Sequence, residues 1–490
     1  MQTVWVFGDQ LNRNIGAMAN AEPANSRVLM IESAATNGRA FHRQRLHLVL
    51  TAMRRFATEL RVEGFDVDYR RAPSFRRGFE EHHREYEPDA VTSTEPNSRK
   101  HRALAAALGV HTTKSNQFLT HPEVFAEWAG TRQRLRLEDF YRWQRKRLGY
   151  LLDTDGEPAG GRWNYDHDNR EPPPSDGEWQ TPLSSPMDAV DREVFDSVSG
   201  VGRDPVGWWP TSRAAALARL EHFVDSGLSG FGRHEDAMTT QSWHLAHSLL
   251  SPALNLGLLL PDEVCDAVET AYRAGDVPIS SAEGFIRQVI GWREFVWGIY
   301  WLWPDQRDEN IFAHHRPLPP SWDGAPTDML CVAEAIDGLE KRAWIHHIQR
   351  LMVLSNFANL YGMEPHLVHD WMRERYIDGA DWVMGPNVYG MGLWSDGGRM
   401  ATKPYVSGGA YINRMSDYCG ECRFNPRKRI GHDACPFTTL YWDFLARHEE
   451  TLRSNHRLAR QYAAMKRLED LPQVRQRAAE VVAGIEEGTL

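Results

Sequence analysis

Strand and helix patterns alternate over the first part of the chain, and this alternation restricts the fold more than any other feature. "TVWVFG", "SRVLMIES" and "FDVDYRR" are short runs typical of strands, and "DAVTSTEP" and "VHTTKS" predict two more. Leu46, Leu50 and Leu60 recur at helical spacing between the second and third runs, and "SRKHRALAAALG" has a helical pattern. The sequence therefore predicts a doubly wound, Rossmann-like α/β domain at residues 1–130.

The pattern changes twice beyond that domain. Residues 131–210 are predicted to hold a basic helix, "RQRLRLEDFYRWQRKRLGY", and then a long linker loop rich in Pro, Gly, Asp and Ser. Beyond residue 210 almost every apolar pattern has helical spacing. Residues 211–490 are therefore predicted to form a large all-α domain.

Composition and charge exclude several classes of protein. The start of the chain, "MQTVWVFGDQLN", has no export signal, and no apolar run is long enough to cross a bilayer, so we expect a cytoplasmic protein without membrane contact. The formal net charge of −10 gives no general attraction to nucleic acid. Basic residues are nevertheless concentrated at 132–150 and 426–432. No feature of the sequence indicates an obligate protein partner.

Three of the five cysteines form a compact group, Cys419-x2-Cys422-x12-Cys435. In a reducing compartment such a group indicates metal binding rather than disulfides. Cys331, at the start of a predicted helix, is the expected fourth ligand. The spacing alone leaves two centres open, an iron–sulfur cluster and a structural zinc site, with His432 as an alternative fourth ligand for zinc.

Four short motifs follow one another in the predicted helical domain. They are "SLLSPALNLG" (248–257), "IGWREF" (290–295), "HHIQRLM" (346–352) and "YIDG" (376–379). Their order and separations resemble the FAD-binding all-α domain of photolyases and cryptochromes, whose α/β domain binds an antenna chromophore.

Three further segments narrow this resemblance. "FGDQLN" near the start, the loop "GRWNYDHDNR" and "ATKPYVSGGAYINRMSDYCGEC" are similar to the iron–sulfur bacterial cryptochromes and photolyases, the deoxyribodipyrimidine photolyase-related group. The resemblance covers essentially the whole chain. It implies a [4Fe–4S] cluster held by Cys331, Cys419, Cys422 and Cys435.

The resemblance also assigns contacts to FAD. Ser248 and Ser251 match serines that meet the FAD phosphates near a helix start. Arg293 and Arg350 match arginines beside the flavin, and Asp378 matches the aspartate that pairs with the second of them. Such a pair stabilises an anionic reduced flavin.

Two further assignments concern the residue that faces the flavin nitrogen, where this chain departs from the family pattern, and the residues that bind the antenna. The residue facing the protonatable flavin nitrogen falls near Met384, where relatives carry a polar side chain, and Asn387 takes this place after a small shift. Asp9 and Glu32 lie at the ends of predicted strands, at the edge where such folds bind ligands, so they are assigned to the antenna, 6,7-dimethyl-8-ribityllumazine in this family.

The remaining assignments concern the reaction. His347 matches the active-site histidine of the family, a proton donor to the lesion, and Tyr405 and Tyr411 are assigned to the pocket wall. Asp166 and Arg170 match loop residues that reach the lesion, and the aspartate is connected with an effect of divalent cations such as Mg²⁺.

Electron transfer and DNA binding complete the implied picture. Trp371 is assigned as the first residue of the path that photoreduces the flavin, and Trp322 as a residue further out. UV-damaged DNA is the implied partner, with phosphate contacts from 132–150 and 427–429 and a lesion flipped into the flavin pocket.

These assignments predict a DNA photolyase, a carbon–carbon lyase that repairs (6-4) pyrimidine–pyrimidone photoproducts with an electron from photoexcited reduced FAD. The alternative on the same scaffold is a cryptochrome-type blue-light photoreceptor that regulates gene expression. A third hypothesis is an iron–sulfur protein that binds nucleic acid without flavin.

Overall fold

The N-terminal part of the protein is built on one parallel sheet. A computed structural model describes residues 1–34, 40–174 and 177–490. The strands are β1 (Gln2–Val6), β2 (Ser26–Ser33), β3 (Asp66–Ala72), β4 (Val91–Thr94) and β5 (His111–Thr113). All neighbours are parallel and the order is β3-β2-β1-β4-β5, so the connections reverse direction at β1. This order confirms the predicted doubly wound, Rossmann-like fold.

Helices cover both faces of this sheet, as parallel strands require. They are Gly16–Ala19, Arg43–Val62, Phe75–Tyr86 and Arg99–Ala107; the next two helices, Pro122–Gly130 and Leu137–Leu148, pack on the helical part of the chain. Ser74 and Ser98 precede two of them, and each side chain accepts a hydrogen bond from a backbone amide of the first turn. Serine caps therefore begin these two helices where the sequence changes from strand to helix.

The predicted linker loop packs on the helical part instead of crossing solvent. It contains the short turns Ala159–Gly161 and Asp166–Asp168 and the helix Ala189–Ser197. The buried Tyr165 donates its amide to Glu283 (2.8 Å), and the buried Asn169 donates to the Ser280 carbonyl (3.2 Å). These contacts hold the loop against one side of the helical domain.

The rest of the chain is helical, as predicted. Its helices are Arg213–His222, Leu228–Phe231, Ser251–Asn255, Pro261–Ala274, Ile279–Ile286, Glu294–Leu302, Leu330–Arg342, Asn356–Tyr361, Pro365–Arg375, Asp381–Gly385, Gly409–Met415, Tyr418–Glu421, Pro436–Arg447, Glu449–Leu452, Ala459–Met465 and Leu471–Glu486, with 3-10 turns at Pro304–Asp308, Pro320–Asp323 and His456–Leu458. Four π-helical segments lie next to these helices, at Phe223–Gly227, Arg287–Arg293, Gln349–Ser355 and Pro386–Gly392. Across the described ranges, no helix combines the length and apolar character needed to cross a bilayer.

A continuous hydrophobic core joins the sheet to the helices. Val4 and Met30 from the sheet belong to the same buried cluster as Leu254 and Phe285 from the helical part. The amide of Leu11 donates to the carbonyl of Leu256 (2.8 Å) across the same boundary. The domain limits at residues 130 and 210 stay predictions, because packing is continuous there.

We predict that Gly298→Ala destabilises the protein. Gly298 lies in the helix Glu294–Leu302, and a Cβ there would overlap the buried ring of Phe125 on the helix Pro122–Gly130. The expected loss in the free energy of unfolding is about 1–3 kcal/mol, measured by denaturant titration.

Gly130→Ala is the matched control, because no atom lies within 4 Å of the added carbon at that helical glycine. Its stability should be unchanged or slightly higher, since alanine favours a helix over glycine by up to about 1 kcal/mol. Equal stability of the two variants would contradict the close approach at Gly298.

Candidate functional site

The four motifs meet around one cavity of about 420 Å³ in the helical domain. Its size lies within the range of small-molecule and cofactor sites. The predicted site residues that line it are Asp166, Arg170, Ser248, Ser251, Arg293, His347, Asp378, Asn387 and Tyr405. Residues up to about 240 positions apart in the chain are therefore brought to one site.

Asp378 connects three of these segments. Its carboxylate accepts two hydrogen bonds from Arg350 (2.9 and 3.1 Å) and one from the Ser251 hydroxyl (2.7 Å). The Arg350 guanidinium also lies 4.2 Å from the centre of the Tyr376 ring. The predicted pairing of Arg350 with Asp378 is therefore present, with an additional serine donor.

Arg293 presents unpaired donors at the cavity. Its guanidinium stacks on Phe118 at 4.0 Å, and one nitrogen donates to the Gln117 carbonyl (3.2 Å). Nε and the second terminal nitrogen have no hydrogen-bond partner within the described part of the chain. Burial lowers the pKa of Arg293 to about 10, which still leaves it charged at neutral pH. An anionic or hydrogen-bond-accepting ligand in the cavity would satisfy these donors.

His347 lies at the rim of the cavity beside a carboxylate. Its Nε2 is 3.4 Å from Asp236, which also lies 4.0 Å from Arg170. His347 is exposed, with 45% of its side chain accessible, so it can meet a ligand that enters the cavity. Tyr405 lines the same cavity, and burial raises the pKa of its phenol. The phenol therefore stays a hydrogen-bond donor at neutral pH.

A buried ion-pair network supports this rim, and sequence reasoning missed most of it. Arg287 lies 3.3 Å from Asp166, 3.3 Å from Glu283 and 3.7 Å from Glu235. Burial raises the pKa of Glu235 to about 7. Asp166 is also paired with Arg170. No motif marks Glu235, Asp236 or Arg287 in the sequence. Arg287 could have been predicted near the site only because it precedes "IGWREF" by one helical turn.

Some predicted residues lie away from the cavity wall. Met384 is 4% exposed and packs in the hydrophobic core, so the structure places Asn387, and not Met384, at the cavity. The reason is the π-helical segment Pro386–Gly392, which follows the helix of Met384 and carries Asn387. Tyr411 packs against a separate buried cluster that contains Cys331 and Trp371. It does not line the cavity.

Trp371 and Trp322 are neighbours in the core, with ring centres 4.4 Å apart. The indole nitrogen of Trp371 donates to the Trp322 carbonyl (3.2 Å). Both rings are almost fully buried, at 6% and 1% exposure. They form an aromatic pair that does not line the central cavity, and their role in electron transfer stays a prediction.

A second cavity, of about 220 Å³, lies at the carboxyl ends of β1 and β2. Asp9 and Glu32 line it as predicted for the switch point of the sheet. Burial raises the pKa of Asp9 to about 6, whereas Glu32 is held by Arg54 at 2.8 Å. Asp378 lines both cavities, so this residue forms part of the wall between them.

The four cysteines converge around a small apolar cavity near Met329 and Phe424. Cys331, Cys419, Cys422 and Cys435 all line it, whereas the exposed His432 does not. Both centres that the spacing left open, an iron–sulfur cluster and a structural zinc site, use thiolate ligands gathered in this way.

We predict that Asp378→Ala lowers the free energy of unfolding by about 2 kcal/mol, because it leaves the Arg350 charge without its partner. This value is below that of a fully buried pair, since one fifth of Arg350 is exposed. The measurement is denaturant titration of the flavin-free protein.

Asp381→Ala is the control, because its carboxylate is 45% exposed and 3.5 Å from Arg373. Such a surface pair is worth at most about 1 kcal/mol. If Asp378→Ala were as stable as Asp381→Ala, the central role of the Arg350–Asp378 pair would be refuted.

Known proteins share both the sequence and the fold of this chain. The family model of "Deoxyribodipyrimidine photo-lyase-related protein" matches residues 4–211. A "(6-4) photolyase" of Agrobacterium fabrum is 41% identical over 489 residues, which cover 96% of both chains. A "Deoxyribodipyrimidine photo-lyase" of Alkalihalophilus pseudofirmus is 24% identical over 202 residues, 39% of each chain.

Solved structures agree at the level of the fold. A bacterial class III photolyase from Agrobacterium tumefaciens superposes with a TM-score of 0.59 at 16% identity, covering 99% of this chain and 98% of its own. A Synechocystis cryptochrome gives 0.52 at 14% identity, covering 80% and 82%. Because the Agrobacterium fabrum relative matches almost from end to end, the chain belongs to the deoxyribodipyrimidine photo-lyase-related family of the photolyases and cryptochromes.

Proposed function

We propose that the protein is a photolyase that uses light to repair (6-4) photoproducts in DNA. The observation that carries this proposal is the position of His347, exposed at the rim of the central cavity with Asp236 at 3.4 Å. The 41% identical relative, which carries the name (6-4) photolyase, supports the same substrate. No contact in the described residues favours a photoreceptor over a repair enzyme.

In this proposal the central cavity binds FAD. The unpaired nitrogens of Arg293 provide donors for the flavin or its phosphates, and Ser248, Ser251 and Asn387 line the same walls. When bound and reduced, FAD supplies the light-excited electron donor. The Arg350–Asp378 pair holds Ser251 and the helix start beside it in place.

His347 acts as the proton donor to the lesion. Repair of a (6-4) photoproduct returns a hydroxyl or amino group from one base to the other, which requires an acid at the lesion. The carboxylate of Asp236 lies 3.4 Å from Nε2 of His347 and orients the imidazole at the rim. Tyr405 keeps its phenolic proton and can bind the displaced oxygen as a donor.

The basic segments contribute unequally to DNA binding. Arg145 is fully buried and donates to the carbonyls of Trp163 and Leu151, so it supports the loop instead of DNA. Lys428 and Arg429 are paired with Asp433 and Asp470. Arg134, Arg136, Lys146 and Arg427 have exposed side chains with no ion pair to the described residues, and they are the candidates for phosphate contacts.

Three further cofactors complete the proposal. The convergence of Cys331, Cys419, Cys422 and Cys435 on one cavity supports a centre with four cysteine ligands, for which we propose a [4Fe–4S] cluster. The second cavity, with Asp9, is the site for the lumazine antenna. A Mg²⁺ ion at Asp166 has to compete with Arg170 and Arg287 for the carboxylate.

His347→Ala is predicted to slow repair of a (6-4)-containing oligonucleotide under blue light by about 100-fold or more, because the proton donor is removed. The absorption spectrum of the bound flavin should not change. Repair is measured by chromatography of the oligonucleotide after illumination of the reduced protein.

His315→Ala is the matched control, since His315 is exposed and contacts the Ala313 carbonyl on its own turn. It should repair at the wild-type rate. Full activity of His347→Ala would refute its role. A wild-type protein that binds flavin and performs no repair would instead support the photoreceptor.

Cys331→Ala is predicted to lose the cluster. Wild-type protein purified without oxygen should contain about four iron and four acid-labile sulfide per chain. The variant should fall well below this content, with the visible absorption of the cluster lost.

Cys265→Ala is the control, because Cys265 is buried in the core cluster of Val4 and Leu254 and lies outside the four-cysteine group. It should keep its iron and sulfide. Zinc without sulfide in the wild-type protein would refute the cluster.

A further inference from the structure

Three histidines from two segments meet between the loop of Ser248 and the rim of the central cavity. His247 precedes Ser248, and His346 and His347 open the "HHIQRLM" motif. One ring nitrogen of each lies within 4.8 Å of one ring nitrogen of both others. The His247 ring stacks on His346 at 4.9 Å and meets His347 edge-on at 5.5 Å.

The inner two histidines have unused nitrogens. His346 is 2% exposed, and neither of its ring nitrogens has a hydrogen-bond partner in the ranges 1–34, 40–174 and 177–490. Nε2 of His247 is likewise buried and unpaired in those ranges. Buried polar atoms without partners are rare in proteins because each one lowers stability. These nitrogens therefore point to a ligand.

The inner two histidines are held in the neutral form that a metal ligand requires. Burial, together with repulsion from neighbouring histidines and Arg350, holds the pKa values of His247 and His346 well below the usual value. Both rings are therefore neutral at pH 7 and have the free lone pairs that a metal ligand needs. Asp236 lies beside Nε2 of His347, and a carboxylate on the second nitrogen is the usual support of a metal-bound histidine.

We propose that His247, His346 and His347 form a binding site for a divalent transition metal of the zinc class, and that a bound ion inhibits repair. A zinc ion takes imidazole nitrogens at about 2.0–2.1 Å, with a water in its fourth position. Two nitrogens on one tetrahedral zinc ion are about 3.3 Å apart, and the three histidine nitrogens already lie within 4.8 Å of one another. Mg²⁺ prefers oxygen ligands and does not compete for the site.

Inhibition follows from the chemistry of the imidazole, and this half of the inference rests on the proposed function. The acid form of His347 carries a proton on both nitrogens. A metal ion binds one nitrogen through its lone pair, so binding releases that proton and leaves a ring whose remaining N–H is a far weaker acid than the imidazolium. Metal binding and the imidazolium form of His347 therefore exclude each other.

The first test measures binding without repair. The flavin- and cluster-loaded protein is titrated with Zn²⁺ by calorimetry, and the wild type should show one site that His247→Ala weakens by about 100-fold or more. His244→Ala is the matched control, because His244 is also buried but lies outside the group of three. Equal Zn²⁺ affinity in the wild type and His247→Ala would overturn the site.

The second test measures light-driven repair at a Zn²⁺ concentration that saturates the site. Zn²⁺ should lower the wild-type rate by about tenfold or more, with recovery on adding EDTA, and Mg²⁺ should not lower it. The ratio of rates with and without Zn²⁺ should return towards one in His247→Ala. Unchanged repair by the zinc-bound wild type would overturn the inhibition. Absence of repair before any metal is added would refute the proposed function, and calorimetry would still decide the site.

Discussion

The Arg350–Asp378 ion pair is the contact on which the rest of the site depends. Asp378 receives two hydrogen bonds from Arg350 and one from Ser251, so a single carboxylate joins three motifs that are far apart in the chain. The pair is mostly buried, and a partner removed from it would leave an uncompensated charge. Because Asp378 also lines the cavity at the sheet edge, the same contact fixes the wall between both cavities.

Departures from regular helix geometry place the site residues. Arg293, Arg350 and Asn387 all lie on π-helical segments, which carry one extra residue per turn and are frequent at functional sites. A regular helix would rotate these side chains to other directions. The change is visible at Asn387, which faces the cavity while Met384, one helical turn before it, stays in the core.

Charge around the cavity is arranged in two groups with different chemistry. On one side, Arg287 gathers Asp166, Glu235 and Glu283 into a network that keeps buried acids paired. On the other side, His247 and His346 are kept neutral and lack partners among the described residues. His347 contacts both groups, since Asp236 lies 3.4 Å from its Nε2 and its ring belongs to the group of three histidines.

The sequence alone was sufficient to predict the two-part architecture and most of the residues that line the central cavity. Strand and helix periods follow from local side-chain patterns, and the motifs around Ser248, Arg293, His347 and Asp378 lie on the cavity as expected. The four cysteines that were predicted to act together line one small cavity, and their role as ligands stays a prediction.

Only the tertiary structure decided which of several nearby residues reaches a site. Glu235, Asp236 and Arg287 carry no motif, and they become partners of the rim through contacts across many positions of the chain. Arg145 belongs to a basic run but is buried against loop carbonyls, and His346 and His247 meet although nothing in their spacing relates them. Local periodicity specifies elements and their buried faces, whereas the direction of a side chain in a π-helical segment or loop depends on the packing of distant segments.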